Sequence, residues 1–123
     1  MTAYGQLILA TALLTSSHLS KAAENDERGR SLYQSHCAAC HSLEYNGVGP
    51  AHKGVYGRQS GHAPGYLYSD ALKSAAVVWT DKTLNLWLAN PEQFIPGQKM
   101  GISVSDANER ADLIAYLKKV AAL

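Results

Sequence analysis

Cys37-Ala38-Ala39-Cys40-His41 is the stretch on which the reading of this chain turns. Two thiols separated by two residues, with a histidine directly after the second, make the C-x-x-C-H pattern of covalent haem attachment. That spacing lets both sulfurs bond the two vinyl groups of one macrocycle as thioethers. It also sets His41 where its imidazole reaches the iron from the proximal side. Cys37 and Cys40 are the only cysteines of the sequence, so no thiol is left for a disulfide or a second metal site.

Other chemistry shares the C-x-x-C core. A zinc site needs two further Cys or His ligands, and His52 and His62 lie too far apart for the usual short His-x-His spacing. A thioredoxin-type dithiol follows a buried strand in an alternating β/α pattern, which this sequence does not display.

The 123 residues suffice for one domain. Residues 1–22 read as a secretory signal peptide. Leu7-Ile8-Leu9-Ala10-Thr11-Ala12-Leu13-Leu14 is apolar but too short to cross a bilayer, and Ser20-Lys21-Ala22 offers small residues where a signal peptidase cuts. The usual basic start is missing, because Met1 to Gln6 holds no Lys or Arg. Residues 23–123 then form a single domain whose own apolar core is small. A buried haem enlarges that core. Export fits a chemistry that in bacteria attaches haem outside the cytoplasm, so the expected location is the periplasm rather than a mitochondrial intermembrane space. Charge is nearly balanced, 11 Lys and Arg against 10 Asp and Glu. This argues against nucleic acid or an anionic membrane as the main partner.

An all-α domain with long loops is expected. Glu24 to His36 has helical character, with Leu32 and Tyr33 on its apolar side, and runs straight into the cysteine motif. Glu44 to Tyr68 is rich in Gly, Pro, Tyr and His and reads as loop. Ser69 caps a short helix through Lys73, and Thr80 or Asp81 caps another over Lys82 to Ala89 that Pro91 closes. Asn90 to Val104 reads as irregular. Ser105 or Asp106 caps the last helix, Asp106 and Glu109 have capping-box spacing, Leu113, Leu117 and Val120 recur at helical period with Ile114 and Tyr116 beside them, and Lys118 and Lys119 suit the C-terminal end. No alternating strand is visible.

A haem iron held by one histidine needs a second ligand or an open position. Beyond Met1 the only methionine is Met100, in Ile95-Pro96-Gly97-Gln98-Lys99-Met100-Gly101. Proline and glycine keep such a segment extended and let it approach a flat ligand closely. A neutral thioether favours ferrous iron, so a His/Met pair raises the reduction potential.

From Gly29 to Lys119 the sequence resembles the class I c-type cytochromes, the group of mitochondrial cytochrome c and its bacterial relatives. The likeness rests on Cys37-Ala38-Ala39-Cys40-His41, Gly49-Pro50, Tyr56-Gly57-Arg58, Ala63-Pro64-Gly65-Tyr66, Trp79, Asn90-Pro91, Ile95 to Met100 and Arg110 to Lys119, in that order. The resemblance implies the small cytochrome c fold: N- and C-terminal helices crossing, with short helices and long loops wrapped around one covalently bound haem c. It implies Cys37 and Cys40 as thioether cysteines, His41 and Met100 as axial ligands, and a Pro50 carbonyl that orients the proximal ring. Arg58, Tyr68 and Trp79 match residues that hold a buried propionate, which needs donors or it neutralises. Gly29 matches the small residue at the helix crossing, near Leu113 and Tyr116.

Three positions depart from that pattern. Trp87 stands where many relatives carry a tyrosine near the methionine sulfur, and an indole donates but does not accept. Leu72 replaces an asparagine, and Gln98 replaces a small hydroxylated residue that reaches a propionate. Lys53, Lys73, Lys82 and Lys99 form a thinner basic ring than the mitochondrial relatives carry.

The expected function is that of a soluble monomeric one-electron carrier, not an enzyme. Its expected partners are a cytochrome bc-type complex, a terminal oxidase, or a periplasmic dehydrogenase or reductase. The alternative is a haem peroxidase or ligand-binding haem protein, which needs an open sixth position and a distal acid/base such as His52 or His62.

Overall fold

Helix follows helix along this chain. A computed structural model describes residues 16–123, with side-chain surroundings from residue 25 onward. The helices are α1 (Ser16–His36), α2 (Asp70–Ser74), α3 (Asp81–Ala89), α4 (Pro91–Phe94) and α5 (Ala107–Ala121). The only β-type pairing among the described residues is one antiparallel bridge between Gln59 and Val78. Of the signal segment read at 1–22, residues 1–15 lie outside the described residues. Helix α1 already runs through Ser16, ahead of the expected start at Glu24. Lys21-Ala22-Ala23-Glu24 is built of good helix formers, with no glycine or proline to stop propagation.

The frame is the crossing of α1 over α5. A Cβ at Gly29 would stand 2.5 Å from the Asp112 carbonyl oxygen and 3.0 Å from the Tyr116 Cβ, so the two backbones approach this closely only because residue 29 has no side chain. Ion pairs rim the crossing: Arg28 Nε to Asp112 Oδ2 at 3.1 Å, and Lys119 to Asp26. Exposed pairs of this kind contribute little. The stabilisation comes from the apolar stripe beneath, where Leu113 is 1% exposed, Tyr33 3% and Leu117 5%. Each such side chain contributes roughly 1.5–3 kcal/mol by leaving water.

Local chemistry sets the helix ends. Ser69 Oγ accepts from Leu72 N to start α2. Thr80 and Thr83 form a reciprocal capping box on α3. Asp106 accepts from the amides of Asn108 and Glu109 to start α5. The second half of the box expected there does not form. Glu109 Oε2 lies instead 3.7 Å from His36 Nε2 across the crossing. The stretch expected to be irregular after Ala89 contains α4. Asn90 leaves the helical region at φ −160° and ends α3, then caps the next turn by accepting from Gln93 N, with Pro91 in the first-turn position where its missing N–H costs nothing.

Candidate functional site

The motif turn comes directly off α1. The amides of Cys37 and Ala38 donate to Tyr33 O, and those of Cys40 and His41 donate to Cys37 O at 3.1 and 2.9 Å. This satisfies carbonyls that a helix end would leave bare and folds the five-residue motif tightly enough that Cys37, Cys40 and His41 all line one cavity. The two sulfurs are not joined in a disulfide. Cys37 is partly buried and its thiol is pushed up to about 11, first by burial and then by Cys40. Cys40 is exposed.

The cavity has a volume of about 370 Å³ and is walled by core side chains including Leu72, Trp79, Leu84, Leu88, Leu113 and Leu117. These residues belong to the main hydrophobic core, so the cavity lies inside the core rather than beside it. Leu72 is 8% exposed there.

His41 is held on two sides. Its Nδ1 lies 2.8 Å from the Pro50 carbonyl oxygen, so Nδ1 carries the proton and donates, and Nε2 keeps the lone pair a metal needs. Gly49 closes on the ring: a Cβ there would fall 2.2 Å from Cε1 and 2.5 Å from Nδ1. Burial lowers the tendency of His41 to take a second proton, and the Pro50 hydrogen bond works weakly against that. Burial thus favours the neutral imidazole that ligation requires. Two thiols, a neutral imidazole with one nitrogen committed to a carbonyl, and an apolar cavity fit a covalently held haem.

Met100 also lines the cavity. Its segment is fixed by side chains rather than by regular structure. Glu92 Oε1 accepts from Gly97 N at 3.0 Å, Glu92 Oε2 accepts from Gln98 Nε2 at 3.3 Å, and Gln98 Oε1 accepts from Met100 N at 2.5 Å. Gln98 thus braces the segment from within. The reading from sequence gave Gln98 only as a replacement for a propionate-reaching residue, and its use here depends on Glu92 arriving from α4.

Arg58, Tyr68, Trp79 and Trp87 line the same cavity. The Arg58 guanidinium donates to Ala51 O and Lys53 O, each at 3.1 Å. Tyr68 Oη accepts from Ala63 N at 3.0 Å. Trp79 is buried and meets Trp87 at a tilted 5.4 Å. Trp79 is carried inward by the bridge region, where Gly57 N donates to Trp79 O and Trp79 N to Arg58 O.

The two loop histidines part company. His62 does not line the cavity, and its Nδ1 sits 2.7 Å from Ser60 O. His52 lines it on the His41 side: the two rings stack at 3.9 Å and 20°, and His52 Nδ1 shares a 3.1 Å hydrogen bond with Tyr33 Oη. Burial, then His41, then Arg58 push its pKa down to about 3. Its place against His41 was not foreseen from the sequence. Two lysines of the expected basic ring have acidic neighbours. Lys53 pairs with Glu44 at 3.3 Å and Lys73 with Asp70 at 3.4 Å.

The "Cytochrome c" family model matches residues 27–121. Cytochrome c of Euglena viridis is 48% identical over 95 residues, covering 75% of this chain and 93% of that protein. Cytochrome c of Gibberella zeae is 44% identical over 96 residues, covering 75% of this chain and 91% of that protein. Among solved structures, cytochrome cH from Methylobacterium extorquens superposes with a TM-score of 0.73 at 44% identity, covering 76% of this chain and 97% of that one. Motif, cavity, helix crossing and relatives agree: the chain belongs to the cytochrome c family, electron-transfer proteins with a covalently attached haem c, for which Cys37 and Cys40 fit the attachment motif.

Proposed function

We propose that this chain is a one-electron carrier whose haem iron is held between His41 and Met100. The observation that carries this is the shared cavity: it is lined by both cysteines, by a neutral His41 pinned to Pro50, and by Met100 on a segment braced through Gln98 and Glu92. When bound, the haem supplies a ferric/ferrous couple. The chain supplies two pre-set axial groups. Such ligands limit rearrangement between the two oxidation states and keep small exogenous ligands off the iron. Core side chains around the cavity exclude water and lower the local dielectric, which adds to the effect of a thioether in raising the potential.

Propionates would be taken up by Arg58, Tyr68 and Trp79, three of the polar-tipped residues of the cavity wall. Trp87 faces the same space and contributes an N–H without an acceptor. The rim carries exposed apolar residues, with Val48 76% and Leu67 90% exposed, beside Lys99. An apolar edge with few unpaired cations suits brief contact with a redox protein. A cytochrome bc-type complex as donor and a terminal oxidase or periplasmic oxidoreductase as acceptor match this reading. Residues 1–22 serve as the export signal, residues 23–123 as the working domain, and the periplasm as its place. No helix among the described residues is long and apolar enough to cross a membrane.

A peroxidase reading gains nothing from the loop histidines, since His52 rests on His41 and His62 lies off the cavity. The test is Met100→Ala. The parent ferrous protein should resist carbon monoxide and the variant should bind it readily. Equal carbon monoxide binding by both proteins would remove Met100 from the iron.

A further inference from the structure

The Pro50 carbonyl fixes one nitrogen of His41, and Gly49 limits motion on the Cε1 side. Of the two, only Gly49 lies over a ring face, since a Cβ there would stand 2.2, 2.5 and 2.7 Å from Cε1, Nδ1 and Nε2, and a glycine sets no bulk against that face. A single hydrogen bond tolerates tens of degrees of misalignment at small cost, so the imidazole could still rock about the line from its Cβ to the Pro50 oxygen. The 3.9 Å contact with His52, nearly parallel at 20°, blocks that motion.

His52 can act as a stop because it is itself fixed. Its amide donates to Ser42 O at 2.8 Å, and its carbonyl accepts from Val55 N at 2.9 Å. Its Nδ1 is joined to Tyr33 Oη at 3.1 Å, and the Tyr33 ring meets it edge-on at 5.7 Å. Tyr33 is 3% exposed and packs on Tyr116 of α5 at 5.2 Å. A continuous set of contacts therefore runs from the α1/α5 crossing, through Tyr33 and His52, to the face of His41.

We propose that His52 is a positioning residue that sets the plane of the proximal imidazole, with Tyr33 holding the His52 ring in register. The proposal rests on His41 being an axial ligand. Its chemistry is specific. Stacking needs a flat ring, which leucine lacks. Holding that ring in one rotation needs a polar atom aimed at Tyr33, which phenylalanine lacks. The orientation of an axial imidazole decides how unpaired spin is shared among the haem methyl groups, so a positioning role has a signature that a purely structural role does not.

The experiment uses the haem-loaded ferric protein and compares parent, His52→Phe, His52→Leu and Tyr33→Phe by proton NMR of the haem methyl resonances. A low-spin parent with a sulfur-to-iron band upholds the axial-ligand reading independently of any variant, and a high-spin parent would sink that reading first. Given the former, His52→Leu should move the methyl resonances by several ppm and re-order them, while His52→Phe keeps the stacked ring and the parent order but, lacking the bond to Tyr33, shows smaller shifts. Tyr33→Phe should give smaller shifts of the same sign. A His52→Leu protein with an unchanged methyl pattern, whatever its stability, overturns the proposal. If His52→Leu yields no haem-loaded protein, Tyr33→Phe decides alone: shifted methyls uphold the role of His52, and unshifted methyls refute it.

Discussion

The backbone amide of Met100 donates to Gln98 Oε1 at 2.5 Å, a hydrogen bond between residues two apart in a segment without regular structure. Glu92 completes the brace by holding Gln98 Nε2 and Gly97 N. The shape of the segment depends on these two side chains.

Gln98→Ala removes the acceptor and leaves the Met100 amide without a partner in a half-buried position. The cost should be about 1–3 kcal/mol. Displacement of the methionine by added imidazole should become easier by roughly tenfold or more, 1.4 kcal/mol being one decade. Titrating ferric parent and variant with imidazole reads this directly. Equal midpoints would mean that the brace does not act on Met100.

Gly49→Ala should disturb the proximal side. The new Cβ would overlap His41 Cε1, at 2.2 Å in the undisturbed geometry, so the ring or its loop must shift. Overpacking of this kind costs about 1–3 kcal/mol, and for a domain of this size each kcal/mol lowers Tm by about 4–8 °C. Thermal melts of the haem-loaded parent and variant should separate clearly, and similar melts would show that the Gly49 contact is slack.

The chain without haem should not stay folded. A core cavity of about 370 Å³, at about 24 cal/mol per Å³, costs about 9 kcal/mol. That equals the whole stability of an ordinary domain, about 5–15 kcal/mol. The double variant Cys37→Ala, Cys40→Ala, purified without haem, should show little helix by circular dichroism. A native-like helical spectrum with a cooperative melt would mean that the apolar walls close up on their own.

Acid should weaken the start of α5. The amides of Glu109 and Asn108 hold the Asp106 carboxyl below its usual range. A depressed folded-state pKa stabilises fully above the ordinary carboxylate value and loses that contribution as pH falls through the lowered one. Asn caps a helix without titrating. Asp106→Asn should therefore melt below the parent near neutrality, and the gap should shrink as pH falls into the acid range. A gap independent of pH would assign the effect to the cap geometry alone.

Much of this was legible in the residues. The cysteine motif and Met100 in its Pro/Gly segment are marked by local chemistry and a fixed spacing, while Gly29 is placed at the crossing only through the family resemblance. The cap at Ser69 was readable from local chemistry, and those at Thr80 and Asp106 were narrowed to two neighbouring residues each. His52 was not, because its partners Tyr33 and His41 meet it only after the loop closes, and nothing local marks a histidine in a Gly-rich stretch as buried. Gln98 escaped likewise, since its brace depends on α4, and α4 was hidden by an Asn90-Pro91 pair that ends one helix and begins the next. Glu109 had the spacing of a capping box, but its carboxylate lies toward His36 across the crossing, a placement that sequence spacing does not record.

The central claim is that His41 and Met100 hold one haem iron between them. The most direct measurement is the absorption spectrum of the haem-loaded protein, oxidised and reduced. The account predicts sharp reduced bands, and in the oxidised form a weak far-red sulfur-to-iron band that disappears in Met100→Ala. A high-spin ferric spectrum that shifts at once with cyanide would contradict it.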